Sequence, residues 1–449
     1  MKLKKLAALL LCAAVMLPLA ACVKKPGGSE NSSGTSSSES TAVTPTKDKD
    51  TSIVATDKSH KGPAVQDLMK GITKGKGVSK KPDSRFENAA ASFALDLFRD
   101  EYKSGRKTLV SPLSVFTALA MTQNGAEDRT LYEMQKTLGG LDRDVLNAYM
   151  NAYLAELIGK DSALKCANSL WIDSRLDVKT SFLQKNADFY SAQAYKADFT
   201  RKNTVNEINS WVNKNTNGMI KKLVDEFDPL TVMVLMNALC LEAEWSDPYT
   251  DNCVSEGTFK NAKGNLVKAE YMYSQETEYI ETENATGFVK YYKGGKFAFV
   301  ALLPNEGTSI DSYIASLTGK GFLSALNSRK NTQVNTQMPK FKCEYSNSLV
   351  DTLKKMGMST AFDRDRANFS SMATLKNENI YISDVIHKTF IEVAEKGTRA
   401  GAVTAVIVPK SAAMPVEQPK EVRLTRPFVY AIIDTRTNLP LFIGAQTDI

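Results

Sequence analysis

Residues 395–415 read EKGTRAGAVTAVIVPKSAAMP and hold no aromatic residue and no leucine. The Thr, Val and Ile residues favour an extended strand, yet the side chains are too small to fill an ordinary core strand. Successive strand residues point to opposite faces. One face would carry Thr398, Ala400, Ala402, Thr404, Val406 and Val408, none of them charged. The other would carry Arg399, Gly401, Val403, Ala405, Ile407 and Pro409. Gly397 supplies a pivot just before the stretch, and residues 381–395, YISDVIHKTFIEVAE, read as a long sheet strand. The pattern therefore predicts a segment with two homes: outside as a loop, or inside a sheet, antiparallel to its neighbour. A fold that uses it must contain a sheet able to admit one more strand.

The rest of the chain supplies that sheet late. FENAAASFALDLFRDEYKSG (residues 86–105) places Phe86, Ala90, Phe93, Leu97 and Tyr102 at near-helical spacing and ends on glycine. TLVSPLSVFTALAMTQNGAEDRTLYEMQKTLGG reads as a strand end, a Ser-Pro helix start, a break and a further helix, and VNEINSWVNKNTNGMIKKLV as another helical stretch. From Leu235 strands dominate. VMVLMNALCLEAEW (residues 232–245) is apolar enough for a central strand. FVKYYKGGKFAFVALLP is a hairpin about Gly294-Gly295, and RPFVYAIIDTRTNLPLFIGAQ a terminal hairpin turning at residues 435–438. Helices first and strands later predict an α+β class with a mainly antiparallel or mixed sheet. The 364 residues from 86 to 449 show no internal repeat or second linker and are expected to form one domain.

The first 85 residues read differently. Lys2, Lys4 and Lys5 precede an apolar run that ends in Leu19-Ala20-Ala21-Cys22, a secretory signal whose last four residues resemble a bacterial lipobox. That implies cleavage before Cys22, lipid on its sulfur, and an extracytoplasmic, membrane-anchored bacterial lipoprotein. Seven of the thirteen residues 29–41 are Ser, so residues 23–85 are predicted to be a flexible tether, about 45 Å in mean span. Those residues hold 12 basic and 7 acidic side chains. With the three leader lysines they account for all of the net +7, leaving residues 86–449 near −1. The basic tether suits either an anionic lipid surface or simple solvation. The near-neutral remainder offers no electrostatic case for nucleic acid.

Catalytic chemistry is sparse. There are two histidines, His60 in the tether and His387, so a Ser-His-Asp hydrolase would have to use His387. No G-x-S-x-G motif occurs. Cys166, Cys240, Cys253 and Cys343 show neither C-x-x-C nor zinc spacing and read as free or buried thiols, with a Cys240–Cys253 disulfide as the lesser alternative. The glycine pairs in YKGGKF and LGGLD are turns, not phosphate cradles. No enzyme, cofactor or metal is expected, and Trp245 is expected to pack.

The stretch HKTFIEVAEKGTRAGAVTAV resembles the hinge of the serpins, the serine protease inhibitors. SPLSVFTALAMTQNGA, ANSLWID, INSWVNKNTNGMIKKLV, MNALCLEAEW, MPKFK, MGMSTAFD, ANFSSM and RPFVYAIID are similar to further family motifs and follow in family order across nearly all of residues 86–449. The resemblance implies a serpin fold: a large central mixed sheet, further sheets, N-terminal helices and an exposed reactive-centre loop. It also implies a monomeric suicide-substrate inhibitor of serine proteases. The protease attacks the loop and forms an acyl-enzyme, and the freed segment then inserts into the main sheet. Other readings are a non-inhibitory serpin-fold surface lipoprotein with a binding role, or an inhibitor of cysteine proteases.

Carried over by resemblance, Glu395, Gly397, Thr398, Ala400, Gly401 and Ala402 form the hinge. Ser111, Ser114, Asn237 and His387 form the polar cluster beneath the sheet. Counting 14 residues past Gly397 places the reactive bond at Ser411–Ala412, which suits an elastase- or subtilisin-like pocket. The neighbouring alternative, Lys410, suits a trypsin-like one. Three positions depart from the family: Lys396 and Arg399 stand where acidic residues are usual, and Val403 where Ala is usual.

Overall fold

The computed structural model describes residues 64–158, 163–376, 378–398 and 418–449; for residues 165–167 and 237–238 it describes the backbone alone. Cys22, Ala400, Gly401, Ala402, Lys410, Ser411 and Ala412 lie outside the described residues.

The main sheet has eight strands. They are β1 (Val65–Asp67), β2 (Leu164–Asp173), β3 (Gln193–Ala197), β4 (Met233–Leu241), β5 (Ala243–Glu244), β6 (Phe341–Ser348), β7 (Asp384–Ala394) and β8 (Gly397–Thr398). Hydrogen-bonded neighbours run β1-β3-β2-β4-β7-β8-β5, with β6 on the other edge of β7. β2 and β4 are antiparallel and β4 and β7 parallel, so the sheet is mixed. A nine-stranded second sheet packs beside it. It contains the expected hairpin, Ala285–Tyr291 against Phe297–Pro304, and the terminal hairpin, Phe428–Asp434 against Pro440–Gln446. Phe297–Pro304 is buried at every residue, as its unbroken apolar run requires.

Helices precede most of the sheet. α1 (Ser84–Glu101) starts where the Asp83 carboxylate accepts the amides of Arg85 and Phe86. It buries Phe86, Phe93 and Leu97, as read from the periodicity, while Ala90 and Tyr102 are only partly buried. α2 (Pro112–Thr122) is buried at every residue, the environment that an all-round apolar helix demands. Its first-turn proline is pre-set for the helix. Ser111 stands at the N-cap but makes no side-chain cap bond.

Two local expectations are corrected. The segment read as tether up to residue 85 does not stay free: β1 pairs antiparallel with β3, and the Gly75 amide donates to Asp188 at 2.7 Å. Residues 64–78 hold no serine, and Val65, Leu68, Met69 and Ile72 give them apolar groups to dock. The helix read over residues 205–224 spans only Lys202–Asn215; Asn217 and Gly218 then turn at φ +50° and +75° and break it. Cys240 and Cys253 form no disulfide, in line with the leading reading of these cysteines.

Candidate functional site

The centre of the main sheet is only partly laced. β7 pairs with β4 in parallel over four positions, Asp384 with Val234 through His387 with Asn237. The described rungs between the two strands stop there. At the upper end β8 takes over, pairing Thr398 with Val393 and Gly397 with Ala394 on one side. On the other side Gly397 pairs with Glu244 and Thr398 with Ala243. The two hinge residues therefore already occupy a strand position between β7 and β5, at the head of a stretch where β4 and β7 are not rung to each other.

The backbone accounts for glycine at this point. Gly397 has φ +149°, and a Cβ there would meet the Ala243 carbonyl oxygen at 2.1 Å. Thr398 is 3% exposed, and its hydroxyl shares a 2.5 Å hydrogen bond with the Tyr292 hydroxyl. Tyr292 stacks on Trp245, with ring centroids 4.4 Å apart. Trp245 donates its indole N–H to the Ala394 carbonyl and its amide to that of Lys396, both at 2.9 Å. The Tyr249 amide donates to the Glu395 carbonyl at 2.9 Å. Trp245 thus packs, and it also ties down the chain entering the hinge. The Glu395 carboxylate pairs with Lys340, which also meets Glu270 at 3.1 Å. Partial burial would raise the Glu395 carboxyl, but the Lys340 hydrogen bond and charge outweigh it and leave the group below the ordinary carboxylate range.

Deeper in the sheet, Asn168, Asn237 and His387 stand side by side across β2, β4 and β7. Beneath them is the start of α2. The Ser111 amide donates to His387 Nε2 at 3.1 Å, and the Ser111 hydroxyl to the Leu441 carbonyl at 3.0 Å. The Ser114 hydroxyl donates to Asn168 Oδ1 at 3.4 Å. Thr389, one turn of the pleat above His387, donates to the Leu109 carbonyl at 2.7 Å. Ser111 and His387 are therefore brought into direct contact, whereas Ser114 reaches a residue that sequence reading did not single out. Asn237 lies in the same row by its backbone register.

His387 is 1% exposed, and burial lowers its pKa to about 4, so the ring is neutral at pH 7. With Nε2 accepting, Nδ1 carries the proton, and it has no partner among the described atoms. A ring so placed cannot serve as base for a surface substrate.

Sequence reading missed Tyr292, Lys340 and Asn168. Each acts through a neighbour more than 50 residues distant, and no local spacing reveals that. Residues 399–417 connect β8 to the second sheet, which the chain re-enters at Lys420–Arg423 in parallel with Lys330–Pro339.

Residues 88–449 match the family model described as Serpin (serine protease inhibitor). Over 363 residues the chain is 32% identical to a serpin-like protein of Thermococcus kodakarensis, covering 80% of this chain and 84% of that one. Among solved structures it is similar to tengpin, a thermophilic serpin, in the native state: 42% identity, TM-score 0.82, 86% of this chain and 100% of that one. Against tengpin in the latent state the identity is 39% and the TM-score 0.73, over 83% and 100% of the two chains.

Proposed function

The chain belongs to the serpin family, and from that premise we propose that it is a suicide-substrate inhibitor of serine proteases. One observation carries the reading: the hinge pair Gly397-Thr398 is already seated between β7 and β5, above a stretch where β7 and β4 share no described rung. A strand position has been opened and its first two residues placed.

The opening pairs also set a register. Continued down β7, it would bring Ala400 beside Ile391, Ala402 beside Thr389 and Thr404 beside His387. The β7 partners Ile391, Thr389 and His387 all lie on the buried face. Ala and Thr fit there, where a bulky or charged residue would clash or lose its water without a partner. In this mechanism a protease acylates itself on the loop near Ser411–Ala412, or at Lys410. The released segment then inserts as a strand and carries the protease with it before the ester is hydrolysed. The inserted state is lower in free energy, and the barrier lies in parting β4 from β7 across the Asn168–Asn237–His387 row.

Incubation with elastase, subtilisin and trypsin, followed by SDS gels and sequencing of the released C-terminal peptide, tests this. The expected result is a covalent band surviving SDS with one of the three, and a peptide beginning at Ala412 or within two residues of it. Cleavage without a covalent band refutes inhibition and leaves a binding role for the fold; trapping of papain but of no serine protease moves the target to cysteine proteases.

The location belongs to the same proposal: Cys22 carries lipid, and the chain stands outside a bacterial membrane on its Ser-rich segment. The signal sequence and the Leu19-Ala20-Ala21-Cys22 tetrapeptide support it. Cys22→Ser is expected to move the protein from the membrane fraction to the soluble fraction, and retention in the membrane refutes the anchor.

A further inference from the structure

The hinge is seated by contacts from outside the main sheet. Tyr292 directly follows the second-sheet strand Ala285–Tyr291 and is fully buried. Its ring lies 14° from parallel with that of Trp245, so the hydroxyl is aimed by a rigid stack. The hydrogen bond to Thr398 is the one described for that hydroxyl. Lys290, 2% exposed at its side chain, closes the other side: its ammonium pairs with Glu276 at 2.7 Å and sits over the rings of Tyr249 and Trp245 at 4.4 and 5.6 Å.

We propose that Tyr292 is a positioning residue for strand insertion: its hydroxyl keeps Thr398 docked between β5 and β7, so the strand that inserts after cleavage extends a nucleus that already exists. The proposal rests on the inhibitory reading above and deepens it.

Two features make this more than packing. Undocking Thr398 would leave the buried Tyr292 hydroxyl without a partner where docking satisfies it, so the bond biases the hinge inward. And insertion races hydrolysis of the acyl-enzyme. Starting a strand costs chain entropy that the first rungs must offset, whereas adding to rungs already formed does not repeat that cost. Docking therefore shortens the step that must win the race and leaves the attack on the loop, which occurs some dozen residues away, unchanged.

The test is a double-variant cycle read in three ways. Tyr292→Phe keeps the ring on Trp245 and removes one hydroxyl; Thr398→Val keeps the β-branched shape and removes the other. Each single variant is expected to raise the number of inhibitor molecules consumed per protease trapped by roughly five-fold or more, with the second-order rate of loop attack unchanged within about two-fold. The double variant, with no orphaned hydroxyl, is expected to return close to the parent. Amide hydrogen exchange at Gly397 and Thr398 should quicken in both single variants and slow again in the double, with no protease present.

A general loss of fold would slow attack and lower the melting point of every variant alike, without mutual rescue. Tyr292→Phe behaving as the parent in stoichiometry and exchange overturns the proposal, and so does a double variant worse than either single. If the parent traps no protease, the inhibitory reading falls, and the exchange arm still decides whether Tyr292 docks the hinge.

Discussion

Protonating His387 would place a positive charge under the main sheet, against a backbone amide that already donates to its Nε2. Burial lowers its pKa in the fold to about 4, against about 6.5 in an unfolded chain. The neutral ring is thus the folded form, and its contribution to stability is complete above pH 6.5. As pH falls from 6.5 to 4 the unfolded chain takes up the proton and the folded one does not, so stability drops by about 3 kcal/mol on this account. Urea unfolding at pH 7 and pH 4.5 should show the drop, and His387→Gln should remove much of it, carboxylate titration remaining in both proteins. An equal drop in the variant would show that the ring does not titrate as its burial dictates. At this scale the sequence was partly legible. His387 stood out by scarcity, and Gly397 by its place ahead of a strand of small residues. Tyr292 and Lys340 did not stand out, because an aromatic after one strand or a lysine between two gives no hint of which distant side chain it will meet.

Among the elements, β7 and β8 show how much a register carries. Residues 381–395 read as a long sheet strand, and the strand observed, Asp384–Ala394, alternates between buried and half-buried residues without a break. What alternation cannot give is the partner, since pairing is fixed by the rest of the sheet. The pairs Thr398 with Val393 and Thr398 with Ala243 set it here. One residue further, Arg399 would lie between Glu392 on β7 and Glu242, which precedes β5, on the solvent face of the inserted strand. In the structure Glu392 pairs with Lys342 at 2.7 Å, and Glu242 accepts from Asn217 at 3.0 Å. On the proposed insertion, the cation that departs from the family's acidic habit would meet two carboxylates on arrival. Glu242→Lys is expected to raise the inhibitor-to-protease stoichiometry by roughly two- to five-fold, with the effect shrinking in high salt. Combining it with Arg399→Glu should restore the parent value. Failure of the charge swap to restore it would mean that the inserted strand takes another register.

For the molecule as a whole, the α+β class follows from element order, and the fold matches native tengpin better than latent tengpin. The docking of residues 64–83 on the body escaped sequence reading because a Lys- and Gly-rich composition hides the few apolar residues that seat it. The larger consequence concerns what the intact chain leaves unformed. β4 and β7 share four described rungs near one end, and near the other the two residues of β8 sit between β7 and β5. A strand of about ten residues inserted between them would gain hydrogen bonds on both edges, on the order of 10–20 in all, at roughly 1 kcal/mol net each. In a chain of this length each such kcal/mol raises the melting midpoint by roughly 1–2 °C. Nicking the loop between residues 405 and 415 with a catalytic amount of protease should therefore raise the midpoint by on the order of 10–30 °C, with no change in mass beyond hydrolysis. Adding a synthetic peptide of residues 398–409 before the nick should fill the same position, raise the midpoint and abolish trapping. A nicked chain that melts where the intact one does would mean that the sheet gains nothing by accepting the strand. The hinge contacts at Gly397 and Thr398 would then be the end of a static loop, not the start of an insertion.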